Sequence, residues 1–438
     1  TVSAGIANMI TDKFVDERKL NWSSAEKARV AAGCLGVKKT TGQHPGGLII
    51  VPKDKEIYEF CPIQYPSDRS EDDVITTHFD YHKMENQLVK LDMLGQDDPA
   101  QLLLLKEYTN FDFNNIPYDD FPTLKLFSST ESIGLKEQDL DVKTATYAVP
   151  EFGTEFVRGM LEDTRPKNIG ELIRISGLSH GTDVWQNNAQ DLIRSGKIKL
   201  NQVISARDDI MLYLINTGME PHKAFKIMEN VRKGRGLKED EIKLMSELGV
   251  PKWYINSCKK IKYLFPKAHA VAYVVMAYKI AYYKVHFPVE FYASFFTIKS
   301  DLLNAEYMLM DIKQIIALLK QRQKEKYSLT QKERVEITIL EVLKELKLRK
   351  IKIKKVDIKK SLAHKSLVEN NEILPPLVSI PGLGLKAAEN IVAEREKEEF
   401  RTIDDFCHRC KINKKVLEEL NKFECLTELP ESETYSLF

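Results

Sequence analysis

Val89-Lys90-Leu91-Asp92-Met93-Leu94, closed by Gly95, alternates apolar and polar residues and reads as a β-strand. Successive side chains of a strand point to opposite faces. Val89, Leu91 and Met93 are therefore expected toward a core, and Lys90, Asp92 and Leu94 toward the other side. Lys90 and Asp92 would then stand ~7 Å apart on one surface. A carboxylate beside an ammonium suits a site that holds a metal ion and meets a phosphate. The same pair also fits a surface salt pair on an edge strand. Asp97 and Asp98 follow just beyond the glycine.

Upstream, Thr40-Thr41-Gly42-Gln43-His44-Pro45-Gly46-Gly47 runs into a second β-branched stretch, Leu48-Ile49-Ile50-Val51-Pro52. Paired glycines let a backbone turn tightly and approach a ligand, although an ordinary turn before a strand has the same composition. His78, Asp80 and His82 alternate as if on one strand face, but no fourth ligand accompanies them, and they read as structural. Downstream, residues 101 to about 295 are helical in pattern. Pro117, Pro122, Pro150, Pro166, Pro221, Pro251 and Pro266 punctuate them. Residues 296 to about 370 are rich in Lys, Glu and Leu, and within them Arg349 to Val356 alternates like a strand with one wet face. A small helical module is expected from about 372, with a tail after Pro430.

The 438 residues suffice for two to four domains. Hydrophobic residues at 43% and charged residues at 29% exclude disordered and membrane classes. With 65 basic against 64 acidic side chains the net charge is +1, so only local clustering can speak for nucleic acid. No apolar run approaches the ~18 residues of a membrane span; the run from Ala270 to Tyr278 is closed by His269 and Lys279. Six scattered cysteines form no secreted framework and point to a reducing, cytoplasmic setting. The chain starts at Thr1 rather than Met, and is expected to begin inside a longer protein.

Local clustering is found at residues 251–289. Seven lysines (252, 259, 260, 262, 267, 279 and 284) occur there with no Asp or Glu, interleaved with Tyr254, Tyr263, Phe265, Tyr273, Tyr278, Tyr282 and Tyr283. Lysines among aromatics suit a phosphate backbone with bases stacked nearby. Periodicity divides the stretch: Ala270 to Tyr283 reads as a buried helix, and Lys259 to His269 as the exposed, chemical part. The basic turn Arg232-Lys233-Gly234-Arg235-Gly236 fits either a template phosphate contact or a plain helix end.

Ser379-Ile380-Pro381-Gly382-Leu383-Gly384-Leu385-Lys386, continuing to Ile391, fits the hairpin of a helix-hairpin-helix motif. Gly382 and Gly384 permit a tight turn whose backbone N–H groups, at the positive end of the next helix, can hold a DNA phosphate. Ala387 and Ala388 allow close packing, and Ile380, Leu383 and Ile391 supply a small core. A partner hairpin is placed at Ile412 to Leu426. Cys407 and Cys410 have C-x-x-C spacing without a second close pair, which argues against zinc.

TTGQHPGGLIIVP (40–52), THFDYH (77–82), LVKLDMLGQDDP (88–99), Val149 to Gly153, ISGLSHGTDVW (175–185) and KKIKYLFPKAHAVAY (259–273), in this order, resemble the bacterial DNA polymerase III alpha subunit of the PolC type. The resemblance covers nearly the whole chain. It implies a mainly α fold with a small α+β portion. Residues 1–100 would form a partial, polymerase-beta-like palm and 101–295 helical fingers. Residues 296–438 would be a duplex- and clamp-binding region, with the helix-hairpin-helix at about 372–426. In that family three palm aspartates hold two divalent ions. The resemblance implies that Asp92 is the third of these aspartates, that Lys90 would lie near the incoming triphosphate, and that the remaining ligands of the two Mg²⁺ ions would fall outside this chain. The isolated chain is accordingly expected to be inactive. Asp139-Leu140-Asp141 has D-x-D spacing but lies on the wrong side of Asp92 and reads as a solvated loop.

The resemblance further implies triphosphate contacts for Lys259, Lys262, Lys267 and His269, and packing of Tyr263 against the nascent base pair. Arg207, and Arg174 with His180, are further candidates on the fingers. Gly382, Gly384 and Lys386 would meet DNA. Thr434-Tyr435-Ser436-Leu437-Phe438 resembles a clamp-docking peptide in which Leu437 and Phe438 fill an apolar pocket, with Thr434 where Gln usually stands. The implied function is template-directed nucleotidyl transfer from deoxynucleoside triphosphates to a primer 3′-OH. The implied partners are primer-template DNA, the sliding clamp and other replisome subunits, with no membrane. Two alternatives of other classes stand beside it. A non-catalytic DNA-binding scaffold would ignore the triphosphate, and a hairpin-bearing nuclease would need an acidic cluster.

Overall fold

The computed structural model describes residues 2–37, 42–44, 46–66, 74–93, 95–325 and 329–432. It is mainly helical with a few short strands, and divides into two compact units, 1–96 and 97–438.

The first unit opens with helices Ala4–Glu17 and Ser24–Gly33, the second started by the Ser23 hydroxyl accepting from the Glu26 N–H. Their shared core is small: Val2, Ala7 and Ala31, flanked by Ile6 and Cys34. Two antiparallel ribbons follow. β1 (Gly47–Ile50) pairs with β4 (Val89–Asp92), and β2 (Ile63–Gln64) pairs with β3 (Thr76–Thr77). In the first ribbon Gly47 lies opposite Asp92 and Ile49 opposite Lys90. The side of this ribbon expected to face a core does not. Val89, Leu91 and Met93 are 61%, 49% and 66% exposed, and Leu48 and Ile50 share their exposure. A two-strand ribbon has no third layer of its own, so alternation names the apolar face without burying it. His78, Asp80 and His82 are not on one strand either: β3 ends at Thr77, and Tyr81–Lys83 is a 3-10 turn.

The second unit is organised around the helix Lys267–His286, which buries Ala270, Val274, Ala277, Tyr278, Ile280, Ala281 and Tyr283 as its periodicity requires. It packs against helices Asp97–Thr109, Ile169–His180 and Pro288–Ile298. Prolines 122, 221 and 288 occupy first turns of helices, and Pro251 and Pro266 precede them, where a missing N–H costs nothing. Lys284, counted above with the basic stretch, is wholly buried and belongs to no phosphate surface. Its ammonium donates to Ala145 O (2.7 Å), Tyr147 O (2.6 Å) and Glu345 Oε1 (2.6 Å), and burial pulls it down to about 8.

Beyond this core, helix Gln331–Leu348 is started by a Thr330/Glu333 capping box and packs on helix Ile312–Lys324. The alternating run from Arg349 yields only the two-residue β5 (Lys352–Ile353). It joins a hairpin of β6 (Leu367–Glu369) and β7 (Glu372–Leu374) in the order β5-β7-β6. Asn370 and Asn371, both at positive φ (52° and 63°), make the two-residue turn. Helices Leu385–Lys397, Ile403–Cys410 and Lys414–Lys422 then enclose a separate core containing Leu377, Ile380, Leu383, Ala388, Ile391, Phe406 and Leu420. Among the described residues no helix is long and apolar enough to cross a membrane.

Candidate nucleotide and DNA site

In the first unit, Lys90 and Asp92 do lie on one face of β4. Their Nζ and Oδ1 atoms are 2.8 Å apart, with Asp92 about half exposed and Lys90 more covered. The space for the lysine is made by Gly47: a Cβ there would meet Lys90 Cε at 2.7 Å and His44 Nδ1 at 2.9 Å. The ammonium also lies 5.7 Å from the centroid of the Tyr81 ring. Gly47 therefore leaves the room through which Lys90 reaches Asp92. As a metal site the arrangement is incomplete. Asp92 is one carboxylate, and among the described residues no group of three His, Cys, Asp or Glu side chains could hold an ion. A divalent ion there would need ligands beyond those the described residues supply.

In the second unit, the segment between helices Lys252–Lys260 and Lys267–His286 is bound on both sides by backbone. Thr182 and Tyr263 form an isolated antiparallel bridge, with the Lys262 N–H donating to Thr182 O at 3.0 Å. The Leu264 N–H donates to Arg232 O (3.2 Å), and the Arg207 N–H to Phe265 O (3.1 Å). Gly234 lies against it at φ 69°, where a Cβ would come within 2.5 Å of Lys262 O. The Lys267 N–H donates to Asp208 Oδ2 at 2.7 Å. Held in this way, Lys259, Lys262 and Lys267 are exposed, Tyr263 is 40% exposed, and His269 is half-buried. Lys260 instead turns to the carbonyl of Asn187, and Lys279 to Asn114.

Arg207 lies near this segment with its guanidinium 4.0 Å from Glu229. The Glu229 carboxylate also gathers Arg232 (2.5 Å) and Lys233 (3.2 Å), and the Arg232 hydrogen bond holds it down at about 2. Sequence reasoning missed Glu229, although its spacing of three and four residues from two cations on one helix was a readable signal. Arg174 is turned inward, donating to Val203 O (3.0 Å) with Asp209 at 3.4 Å. His180 is paired with Glu151 and packs edge-on against the His269 and Phe265 rings.

In the small terminal core, Ile380, Leu383 and Ile391 are buried as expected. Ser379 ends a 3-10 turn rather than a helix, Gly382 takes φ 82°, and Gly384 caps helix Leu385–Lys397. Gly382, Gly384 and Lys386 are all exposed. Cys410 and Cys425 are packed in this core, which pushes their thiols up to about 12. Asp139 and Asp141 are exposed, as a solvated segment should be, and Asp141, at φ 59°, pairs with Lys344 at 3.0 Å. Leu437 and Phe438, with the rest of 433–438, lie outside the described residues.

Residues 5–95 match the model of the bacterial DNA polymerase III alpha NTPase domain, 97–249 the bacterial DNA polymerase III alpha subunit finger domain, and 350–435 a helix-hairpin-helix motif. The chain is 51% identical over 426 residues to a DNA polymerase III PolC-type of Caldanaerobacter subterraneus, covering 97% of this chain and 30% of the relative. It is 51% identical to the Thermotoga maritima protein of the same name over 94% of this chain, and 46% identical to that of Bacillus subtilis over 100%. In both cases 30% of the relative is covered. The chain thus spans about a third of the length of these relatives, and it belongs to the PolC-type family of bacterial DNA polymerase III alpha subunits.

Proposed function

We propose that this chain is part of a replicative DNA polymerase that transfers a nucleotidyl group from a deoxynucleoside triphosphate to a primer 3′-OH under template direction. The observation that carries the reading is the Lys90–Asp92 pair, half open to solvent on β4, in a chain of this family. Lys90 neutralises the triphosphate. Lys259, Lys262, Lys267 and Arg207 add fixed positive charge where negative charge develops on the transferred phosphate and the leaving pyrophosphate. Tyr263 offers a ring face to the nascent base pair, and His269 is a further contact for the triphosphate. Gly382, Gly384 and Lys386 hold the duplex through its phosphates, whatever its sequence.

Asp92 contributes one ligand to a divalent-metal site, Mg²⁺ in this reading, whose other ligands lie outside the chain. Such ions activate the attacking hydroxyl and stabilise the leaving group. The tail bearing Leu437 and Phe438 docks on the sliding clamp beside other replisome subunits, in the cytoplasm.

The test is Asp92→Asn in the full-length polymerase. Nucleotide addition should fall by about a thousandfold or more, while affinity for primer-template DNA stays within about twofold. Normal turnover in the variant would overturn the assignment. Wild-type protein that binds DNA but takes up no triphosphate would favour the scaffold.

A further inference from the structure

The fingers segment ends in a ladder of rings that leads away from its exposed surface. Tyr263 meets Phe265 edge-on (centroids 4.9 Å apart), and Phe265 stacks on His269 (4.7 Å, 19°). His269 in turn stands edge-on to His180 (5.2 Å, 87°). Tyr273 closes the side of the ladder, 4.6 Å from His269 and 5.8 Å from His180.

The last ring is fixed at both nitrogens. His180 Nδ1 is 2.7 Å from Ser176 O, a carbonyl that can only accept, and Nε2 is 3.0 Å from Glu151 Oε2. Two acceptors require two N–H donors, so this geometry selects the imidazolium. The Glu151 hydrogen bond accordingly raises the His180 pKa, while desolvation and the charge on His180 lower that of His269. The carboxylate reaches His180 from a strained backbone. Glu151 takes φ 66°, and the Phe152 N–H donates to Pro150 O at 2.7 Å, a γ-turn centred on a residue that carries a side chain. Ala148, three residues earlier, is also left-handed at φ 58°. Strain of this kind persists where the surroundings impose it, and it concentrates at functional sites.

We propose that Glu151 is a positioning residue for the incoming deoxynucleoside triphosphate: it locks the His180 ring, and His180 in turn fixes His269, Phe265 and Tyr263 in the segment that carries Lys259, Lys262 and Lys267. This rests on the triphosphate reading of that segment. The charged and titratable groups facing the pair are Asp98 on the Glu151 side, with Asp97 and Lys299 beside it, and His269 and Tyr273 on the His180 side. Asp98 is itself pushed up to about 6, by burial first and then by Glu151.

The experiment is steady-state nucleotide incorporation by the full-length polymerase, wild type against Glu151→Gln and Glu151→Gly, from pH 6 to pH 8.5. Without the carboxylate, His180 loses its proton near the ordinary histidine pKa of ~6.5, whereas in the wild type it keeps it to higher pH. The triphosphate KM of Glu151→Gln relative to wild type should therefore be within about twofold at pH 6 and rise severalfold as the pH passes the ordinary histidine value, with kcat changed less than about threefold. Glu151→Gly relieves the left-handed backbone, so it should unfold no more easily than wild type and yet show the same KM defect. An unchanged KM ratio, or one that does not vary with pH, would overturn the proposal. Lys267→Ala, measured alongside, separates the two readings. If it raises KM while the Glu151 variants do not, only this inference falls. If Lys267→Ala is silent while the Glu151 variants show the pH-dependent KM, the positioning role stands and the lysine assignment falls.

Discussion

Gly234 and Gly236 both adopt left-handed backbone, at φ 69° and 75°, yet they are not equivalent. Nothing lies within 4 Å of a Cβ at Gly236, whereas one at Gly234 would strike Lys262 O at 2.5 Å. Gly236→Ala should cost only the left-handed penalty, about 1 kcal/mol. Gly234→Ala should cost distinctly more, because the obstacle is backbone, and it should also disturb the lysine segment. Urea midpoints of the two variants check this, and equal values would show that the segment yields to Gly234. At this scale the sequence was legible where chemistry follows spacing. Lys90 and Asp92 share a face because strand geometry leaves no choice. It was illegible where a contact depends on the path of the chain. Glu151 reaches His180, 29 positions further along the chain, through a γ-turn that no local pattern announces.

The helix Lys267–His286 shows how far periodicity carries at the scale of an element. Its buried face was readable from Ala270 to Tyr283, but Lys284 at its end was grouped with the phosphate-binding lysines. Composition cannot tell a solvated ammonium from one whose three N–H groups meet three acceptors in the core. Glu345 Oε1 also accepts from Tyr292 (2.6 Å), while its Oε2 has no partner among the described residues. The Arg349 guanidinium closes the group on Lys284 O at 3.0 Å. Lys284→Met leaves Glu345 charged and buried, and should lower the unfolding free energy by about 3–5 kcal/mol. Lys284→Met with Glu345→Met removes both charges and should recover most of that loss. Chemical denaturation of the three proteins decides it. A double variant no more stable than the single would mean that the pair itself, rather than its charge balance, holds the helix end.

At the scale of the molecule the two units rest on very different foundations. The second encloses a continuous core that includes Leu105, Phe127, Phe152, Tyr278, Tyr283, Phe291 and Phe296, all fully buried. Among the described residues the first joins a helix pair, whose clustered core is Val2, Ala7 and Ala31, to two-stranded ribbons with Leu48, Ile50, Val89, Leu91 and Met93 open to solvent. Opening free energy follows buried apolar contact, so the units should open separately. Amides of β1 and β4 at positions 47–50 and 89–92 should exchange at least about a hundredfold faster than those of Val274, Ala277 and Ile280 in the isolated chain. Hydrogen exchange read by mass spectrometry would show two protection classes meeting near residue 96. Uniform protection would mean that the ribbon carrying Asp92 is as firmly built as the core of the second unit. The expected contrast places the one metal-binding carboxylate of the proposed site on the softest part of the chain.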